Sequence, residues 1–196
     1  MRRGSLFRQP FPRLCGMLLT EAPFVEYDEQ KGGGAMEDLQ FMDAALALAK
    51  EAAAEGEVPV GCVIVRNGEI VGRGRNRRET DKTALGHAEI EAIGQACRNL
   101  GGWRLWECTL YVTLEPCPMC AGAIVNARIP RVVYGASDEK SGACGSVCNL
   151  FSMEFNHHPQ VEKGIREAEC KALLTEFFQQ LRLQLRTRPK WRKKTQ

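Results

Sequence analysis

The chain is organised around two short runs, His87-Ala88-Glu89 and Pro116-Cys117-Pro118-Met119-Cys120. Together they supply one imidazole, a carboxylate two residues after it, and two thiols three positions apart. Zinc takes imidazole nitrogen and thiolate sulfur as ligands, and a catalytic zinc site keeps its fourth position open. The runs therefore predict one Zn²⁺ held by His87, Cys117 and Cys120, with a water in the fourth position.

Glu89 is not needed as a ligand, but it follows His87 by two residues. In the first turn of a helix, its side chain can point near the same pocket. A carboxylate beside an activated water can act as a general acid and base. We therefore predict that Glu89 is the catalytic proton shuttle.

The two thiols also admit roles other than catalytic zinc binding. Cys117 and Cys120 could be a redox pair, core thiols or part of a structural zinc site. The chain has three histidines and no second Cys-x-x-Cys, which argues against a four-ligand structural site. A second possible ligand set is Cys144, Cys148, His157 and His158. The spacing of that set matches no standard zinc pattern.

The composition is that of an ordinary globular protein. The chain has 196 residues, 44% hydrophobic and 26% charged, which suits one domain with extensions. No apolar run approaches the roughly 18 residues of a membrane helix, so we expect no membrane partner. The nine cysteines form no regular framework, which predicts a reducing, cytoplasmic location rather than a secreted disulfide scaffold.

We divide the chain into three parts. Residues 1–35 have four Arg in the first 14 positions, and we predict a disordered leader or non-essential extension, with a transit peptide as the alternative. Residues 36–186 form the predicted zinc-binding domain. Residues 187–196 form a basic tail, within a run from 182 to 196 that has seven Lys or Arg and no acid. Such a run suits a polyanion such as RNA, and a solvated, frayed end is the alternative.

Hydrophobic periodicity predicts helices that alternate with strands. Helices are predicted over 37–55, 87–100 and 162–186, and another after Pro116 that carries both Cys117 and Cys120. Strands are predicted over 60–65, 70–75, 109–114 and 131–135, with loops over 77–83 and 137–160. Asn67-Gly68 predicts a tight hairpin between the first two strands. Strands separated by helices predict an α/β fold with helices on both faces of a sheet.

From residue 36 to residue 194, the chain resembles the bacterial tRNA-specific adenosine deaminases. The matching stretches are Glu57-Val58-Pro59-Val60-Gly61, Gly72-Arg73-Gly74-Arg75-Asn76-Arg77, Gly86-His87-Ala88-Glu89-Ile90, the runs 110–123 and 142–146, and Arg131-Val132-Val133-Tyr134-Gly135-Ala136. The pattern H-x-E…P-C-x-x-C is the signature of zinc nucleobase deaminases in general. The flanking stretches, the Asn156-His157 pair and the Phe177-Phe178 helix with its basic tail favour the tRNA branch.

The resemblance implies a cytidine deaminase-like fold, with three α/β/α layers and a mixed sheet of about five strands. It implies hydrolytic deamination of adenosine to inosine at the wobble position of a tRNA anticodon, with release of ammonia. It also implies one zinc per subunit, a tRNA anticodon stem-loop as partner and a homodimer; we expect no DNA substrate. The target base would be flipped out of the loop, since its C6 is out of reach in the stack.

The same resemblance assigns substrate contacts. Asn76 would hydrogen-bond the nucleoside, while Asn156 and His157 would line the pocket or contact neighbouring nucleotides. A turn asparagine and an exposed loop pair are the alternatives. Asp138 follows the fourth predicted strand and is expected near the RNA, with a loop-capping role as the alternative.

Phe177 and Phe178 are adjacent, so they cannot share one face of a helix. We expect one in the core and the other, Phe178, near the flipped base, because aromatic rings stack on RNA bases.

Two further functions are compatible with the motif. A zinc-dependent deaminase of a free base or nucleotide, acting on guanine or cytosine compounds, would have the same motif but would need no polyanion-binding surface. A non-catalytic subunit that binds RNA would be expected to lose the shuttle carboxylate, and Glu89 is present.

Overall fold

A five-stranded sheet forms the middle layer of the protein, and helices cover both faces. The computed structural model describes residues 34–187. The strands are β1 (Gly61–Arg66), β2 (Glu69–Arg75), β3 (Cys108–Leu114), β4 (Arg131–Ala136) and β5 (Gln160–Lys163). The helices are α1 (Ala35–Ala54), α2 (Arg78–Asp81), α3 (Ala88–Leu100), α4 (Pro118–Ala127) and α5 (Glu167–Thr187), with a 3₁₀ turn at Leu150–Ser152.

The strand order is β2-β1-β3-β4-β5. Strand β1 is antiparallel to β2 and β3, whereas β3, β4 and β5 run parallel, so the sheet is mixed. Helices α1 and α5 pack on one face, and α3 and α4 pack on the other. The predicted three-layer α/β/α fold with about five strands is confirmed. Within residues 34–187, no helix has the length and apolar character that a membrane crossing requires.

The ends of the chain fall outside this description. The predicted leader, residues 1–35, and the predicted basic tail, residues 187–196, overlap the described residues only at their inner ends. The three-part division of the chain therefore stays a prediction.

The hairpin between β1 and β2 follows the prediction from Asn67-Gly68. Both residues have positive φ, 51° and 78°, which is the backbone that a type I′ turn requires. Asparagine and glycine adopt this region at the lowest steric cost. The two strands then pair antiparallel, with one irregularity in register.

Helix α3 approaches the sheet closely because the facing strand carries glycine. A Cβ at Gly74 would overlap the helix backbone at Ala88 and Ala92, and a Cβ at Gly61 would overlap α1 on the opposite face in the same way. The contact with α3 matters for the site, because His87 stands at the N-terminus of that helix.

Strand β5 was not predicted. Its sequence lies across the boundary between the loop predicted at 137–160 and the helix predicted from 162, and all four of its residues are exposed. A short, polar strand shows no apolar alternation, so its signal is weak in the sequence. Its position depends on parallel pairing with β4 at the edge of the sheet.

Two local predictions need correction. Helix α2 occupies four residues of the loop predicted at 77–83. Helix α4 begins at Pro118 rather than near Pro116, so Cys117 is its N-cap and Cys120 is the cysteine within the helix. Proline suits the first helical position because its missing N–H has no partner to lose there.

A buried ion pair ties α1 to the sheet. Arg131 on β4 donates two hydrogen bonds of 2.9 Å to the two carboxylate oxygens of Asp38 on α1. Tyr111 on β3 donates a third, of 2.6 Å, to the same carboxylate. Burial alone would raise the pKa of Asp38, but the hydrogen bonds from Arg131 and Tyr111 and the charge of Arg131 hold it below its usual value.

We expect Asp38→Asn to lower the free energy of unfolding by about 3 kcal/mol at pH 7, because it removes the buried charge partner of Arg131 and leaves only Glu162, whose side chain is 49% exposed. The folded-state pKa of Asp38 is depressed, so its stabilising contribution is present above its ordinary value of 3.8 and is lost as the pH falls through the folded pKa. Wild type and variant should therefore converge in acid. Urea unfolding at a series of pH values measures both effects.

The matched control is Asp43→Asn. Asp43 and Arg166 form a comparable pair at 2.9 Å, but their side chains are 51% and 34% exposed. Its loss should cost much less than the loss of Asp38, because water screens an exposed ion pair. Equal losses at the two positions would contradict a special role for the buried pair.

Candidate active site

The predicted metal ligands stand at the N-terminal ends of two helices on one face of the sheet. His87 is the N-cap of α3, and Cys117 is the N-cap of α4. Cys120 lies in the first turn of α4 and is fully buried. Because a helix N-terminus favours negative charge, both thiol positions suit thiolates.

The three ligand atoms are close enough for one metal ion. Nδ1 of His87 lies 3.6 Å from Sγ of Cys117 and 3.5 Å from Sγ of Cys120. All three atoms lie within 4.8 Å of one another. Tetrahedral zinc, with its usual bond lengths, places a nitrogen and a sulfur ligand roughly 3.6 Å apart. The donor set and its spacing therefore fit zinc.

The electrostatics of the cluster favour a thiolate at one of its two cysteines. A hydrogen bond from Cys120 lowers the pKa of Cys117 to about 4; burial opposes this shift, and a hydrogen bond from His87 adds to it. A hydrogen bond with Cys117 raises the pKa of His87. A hydrogen bond with Cys117 also raises the pKa of Cys120, well above its usual value. Cys117 is thus a thiolate at neutral pH.

Glu89 lies in the first turn of α3, beside the ligands. It is only 4% exposed, and burial raises the pKa of its carboxyl. It also exchanges a hydrogen bond with Cys120. A carboxyl group with a raised pKa is better able to hold and return a proton, which is what a shuttle must do.

A cavity of about 550 Å³ opens in front of the cluster. This volume lies in the range of small-molecule sites. The predicted site residues that line it are Asn76, His87, Glu89, Cys117, Asp138 and Phe178. The structure therefore brings most of the predicted site to one cavity, whereas the contacts of these residues with substrate stay predictions.

Asn156 and His157 do not line this cavity. Nε2 of His157 donates a 2.7 Å hydrogen bond to the carbonyl of Ile129, and Asn156 is exposed. Their predicted contacts with neighbouring nucleotides stay predictions.

Asp138 both lines the cavity and caps its own loop. Its carboxylate accepts hydrogen bonds from the backbone N–H groups of Lys140 and Ser141 and from the Ser141 hydroxyl. Asp138 therefore has the loop-capping role given above as the alternative, and it also lines the cavity. Of the two phenylalanines, Phe178 lines the cavity. Phe177 is half-buried, and its ring meets the ring of Phe178 edge to face.

The second possible ligand set is not assembled. The group formed by His87, Cys117 and Cys120 is the one set of three or more close ligand atoms found over residues 34–187. His158 instead bonds the carbonyl of Phe151, and Cys148 is exposed.

Two buried carboxylates beside the cavity received no role from the sequence. Glu57 accepts a hydrogen bond from the side chain of Asn76. Glu115 accepts hydrogen bonds from the backbone of Asp138 and from Ser146, and so holds the loop that follows β4. The sequence offered one signal for both residues, an acidic residue beside an apolar run. A carboxylate in such a position is buried, and a buried charge needs hydrogen-bond partners.

The chain is similar to several known deaminases. A family model described as MafB19-like deaminase matches residues 36–182. The tRNA-specific adenosine deaminase of Bacillus subtilis (strain 168) is 50% identical over 147 residues, which cover 74% of this chain and 91% of that protein. The protein of the same description from Streptococcus pyogenes serotype M18 is 48% identical over 145 residues, with 74% and 91% coverage.

Solved structures agree with the sequence comparison. One, from a study of A-to-I editing by tRNA deaminases at the wobble position of transfer RNA, is 44% identical with a TM-score of 0.65 and covers 69% of this chain and 99% of its own. A guanine deaminase from Nitrosomonas europaea is 23% identical with a TM-score of 0.57, covering 71% and 83%. At that identity, the likeness to the guanine deaminase shows the fold alone.

We expect Cys117→Ser and His87→Ala each to reduce bound zinc from one ion per chain to a small fraction, because two remaining ligands bind zinc weakly. Metal analysis of the purified protein measures this. The matched control is Cys148→Ser, an exposed cysteine outside the cluster, which should keep one zinc. Two zinc ions per wild-type chain, or full zinc in Cys117→Ser, would contradict the assignment.

Proposed function

The chain belongs to the family of tRNA-specific adenosine deaminases, and we propose that it converts adenosine to inosine at the wobble position of a tRNA anticodon. The observation that carries the proposal is the buried Glu89 carboxyl beside the His87, Cys117 and Cys120 cluster, where both meet a cavity of about 550 Å³. Relatives about 50% identical over most of their length bear that description.

The chemistry replaces the exocyclic amine at C6 of adenosine with the oxygen of water and releases ammonia. Zinc, bound by the cluster, would supply Lewis acidity that lowers the pKa of water towards about 7. Glu89 would take the proton that the attacking water loses and pass it to a ring nitrogen. It would then take the proton of the hydroxyl newly formed at C6 and deliver it to the leaving amine, so that ammonia departs as the C6 carbonyl forms. Its raised pKa suits both directions of transfer.

RNA contact is proposed from the rim of the cavity and from α5. Arg78, Lys140 and Lys171 line the cavity, from three separate segments. Arg182 and Arg186 continue the positive charge along the exposed last turns of α5. A free base needs no such surface, whereas an anticodon loop carries a phosphate at every nucleotide. A cytoplasmic location is proposed with it, supported by eight free thiols over the described residues.

The deciding experiment measures inosine in an anticodon stem-loop RNA with adenosine at the wobble position, beside free adenosine, cytidine and guanine. We expect conversion of the RNA alone. Glu89→Gln should lower the rate by at least about 100-fold while zinc remains bound, because the amide cannot carry the proton. Deamination of a free base or nucleoside instead would favour the alternative substrate class.

The matched control is Glu91→Gln. Glu91 lies on the same helical turn as Glu89 but is exposed, and its carboxylate accepts a hydrogen bond from the backbone of Arg75 outside the cavity. It should keep the wild-type rate. An active Glu89→Gln protein would overturn the proton-shuttle role.

We also propose that the chain forms a homodimer through the segment between β4 and β5. This segment carries three large apolar side chains in water, Val147, Met153 and Phe155, which are 58%, 52% and 39% exposed. The segment packs against α4, whose N-cap and first turn hold the two cysteine ligands. Apolar side chains exposed together are typical of an interaction surface.

Phe155→Glu is expected to weaken the dimer at least about tenfold, since a charge replaces a buried aromatic contact. Sedimentation velocity over a range of concentrations measures the dissociation constant. Trp106→Glu is the matched control, because Trp106 is 60% exposed on the loop before β3. Equal weakening by both variants, or a wild-type monomer, would refute this interface.

A further inference from the structure

Glu57 is a buried carboxylate that the chemistry described above does not use. Its side chain is 1% exposed, in a segment that connects α1 to β1. Its backbone N–H is held at the end of α1 by a 2.9 Å hydrogen bond to the carbonyl of Ala52. A charge so deeply buried needs partners, and its hydrogen-bond donors come from the segment that follows β2.

Three groups donate to this carboxylate. Nδ2 of Asn76 lies 3.1 Å from one oxygen, and the backbone N–H of Thr80 lies 2.7 Å from the other. The N–H of Glu79 adds a weaker bond of 3.3 Å. Burial would raise the pKa of Glu57, but the hydrogen bonds from Thr80 and Glu79 outweigh it and hold the pKa below its usual value. The group is therefore an ionised acceptor.

An ionised carboxylate accepts hydrogen bonds and cannot donate them. It can therefore face only the NH₂ side of the Asn76 amide, which fixes one of the two flipped orientations of that side chain. Asn76 is itself 5% exposed and lines the cavity. Its backbone N–H bonds the carbonyl of Val60, another cavity residue, so the backbone is held as firmly as the amide.

We propose that Glu57 is a positioning residue, which fixes the side-chain amide of Asn76 in the one orientation that the bound nucleoside requires. The inference rests on the proposed function, since it takes a nucleoside as the occupant of the cavity. Through Thr80, the same carboxylate also holds α2, the turn that carries Arg78 to the rim. One carboxylate thus orders two parts of the cavity wall.

The test is a double-mutant cycle between Glu57→Gln and Asn76→Ala, read as kcat and KM for deamination of the anticodon stem-loop. Glutamine keeps the shape but can face either side of the Asn76 amide. We expect Glu57→Gln to lower kcat/KM about tenfold, the size of one hydrogen bond to a charged group. In the Asn76→Ala background, it should cost less than about twofold. An equal cost in both backgrounds, or none in the wild type, would overturn the proposal.

Two further variants distinguish a positioning role of Glu57 from a general loss of structure. Glu79→Gln removes an exposed carboxylate from the same turn and should leave kcat, KM and zinc content at wild-type values. Glu57→Asp keeps an acceptor-only group and should recover part of the loss. If the glutamine variant does not fold, Glu57→Asp replaces it in the cycle, with a smaller loss in the wild-type background that again largely disappears in the Asn76→Ala background.

An NMR comparison requires no activity. The side-chain NH₂ signals of ¹⁵N-labelled protein, assigned to Asn76 by their absence in Asn76→Ala, should form one set in the wild type and Glu79→Gln. They should shift or split in Glu57→Gln. Unchanged signals there would overturn the positioning role. A wild-type protein that deaminates no RNA would refute the proposed function, and the NMR result would still decide the orientation of Asn76.

Discussion

The site depends on the contact between two helix N-termini. His87 at the start of α3 and Cys117 at the start of α4 are 30 residues apart in sequence, yet their ligand atoms lie 3.6 Å apart. On the α3 side, this distance depends on the close approach of the helix to the sheet. Glycine at position 74 and the alanines of α3 that face it remove the side chains that would hold the helix away. A larger residue at 74 would displace α3 and, with it, the imidazole.

Much of this arrangement could be predicted because its signals are local. The hairpin is predicted from Asn67-Gly68, and the ligand set lies within two short runs of sequence. Strand β5 and helix α2 could not be predicted in the same way. Strand β5 is polar and depends on pairing with β4, and α2 is a single turn whose N–H groups bond Glu57, more than 20 residues earlier. Long-range partners leave no periodic trace in the sequence.

The walls of the cavity follow a common physical rule. Glu57 and Glu115 are each almost fully buried, and each accepts several hydrogen bonds from a loop that has little regular structure of its own. A buried carboxylate with several donors holds such a loop more rigidly than apolar packing would, because every donor has a fixed direction. The loops at the cavity can therefore be irregular in sequence and still be ordered in space. The roles of these two acids could not be predicted, because most of their donors are backbone groups, which every residue carries.

The floor and the rim of the cavity contribute differently to the choice of substrate. The floor consists of the metal ligands and Glu89, and its chemistry would serve any aminated ring. The rim draws Arg78, Lys140, Lys171 and Phe178 from α2, the loop after β4, and α5, none of which carries a metal ligand. Substrate selection must therefore depend mainly on the rim, since the floor does not distinguish a free base from a base in RNA. Three cations and an exposed aromatic ring around one opening match a phosphate backbone and an unstacked base, and they offer little to a small neutral purine.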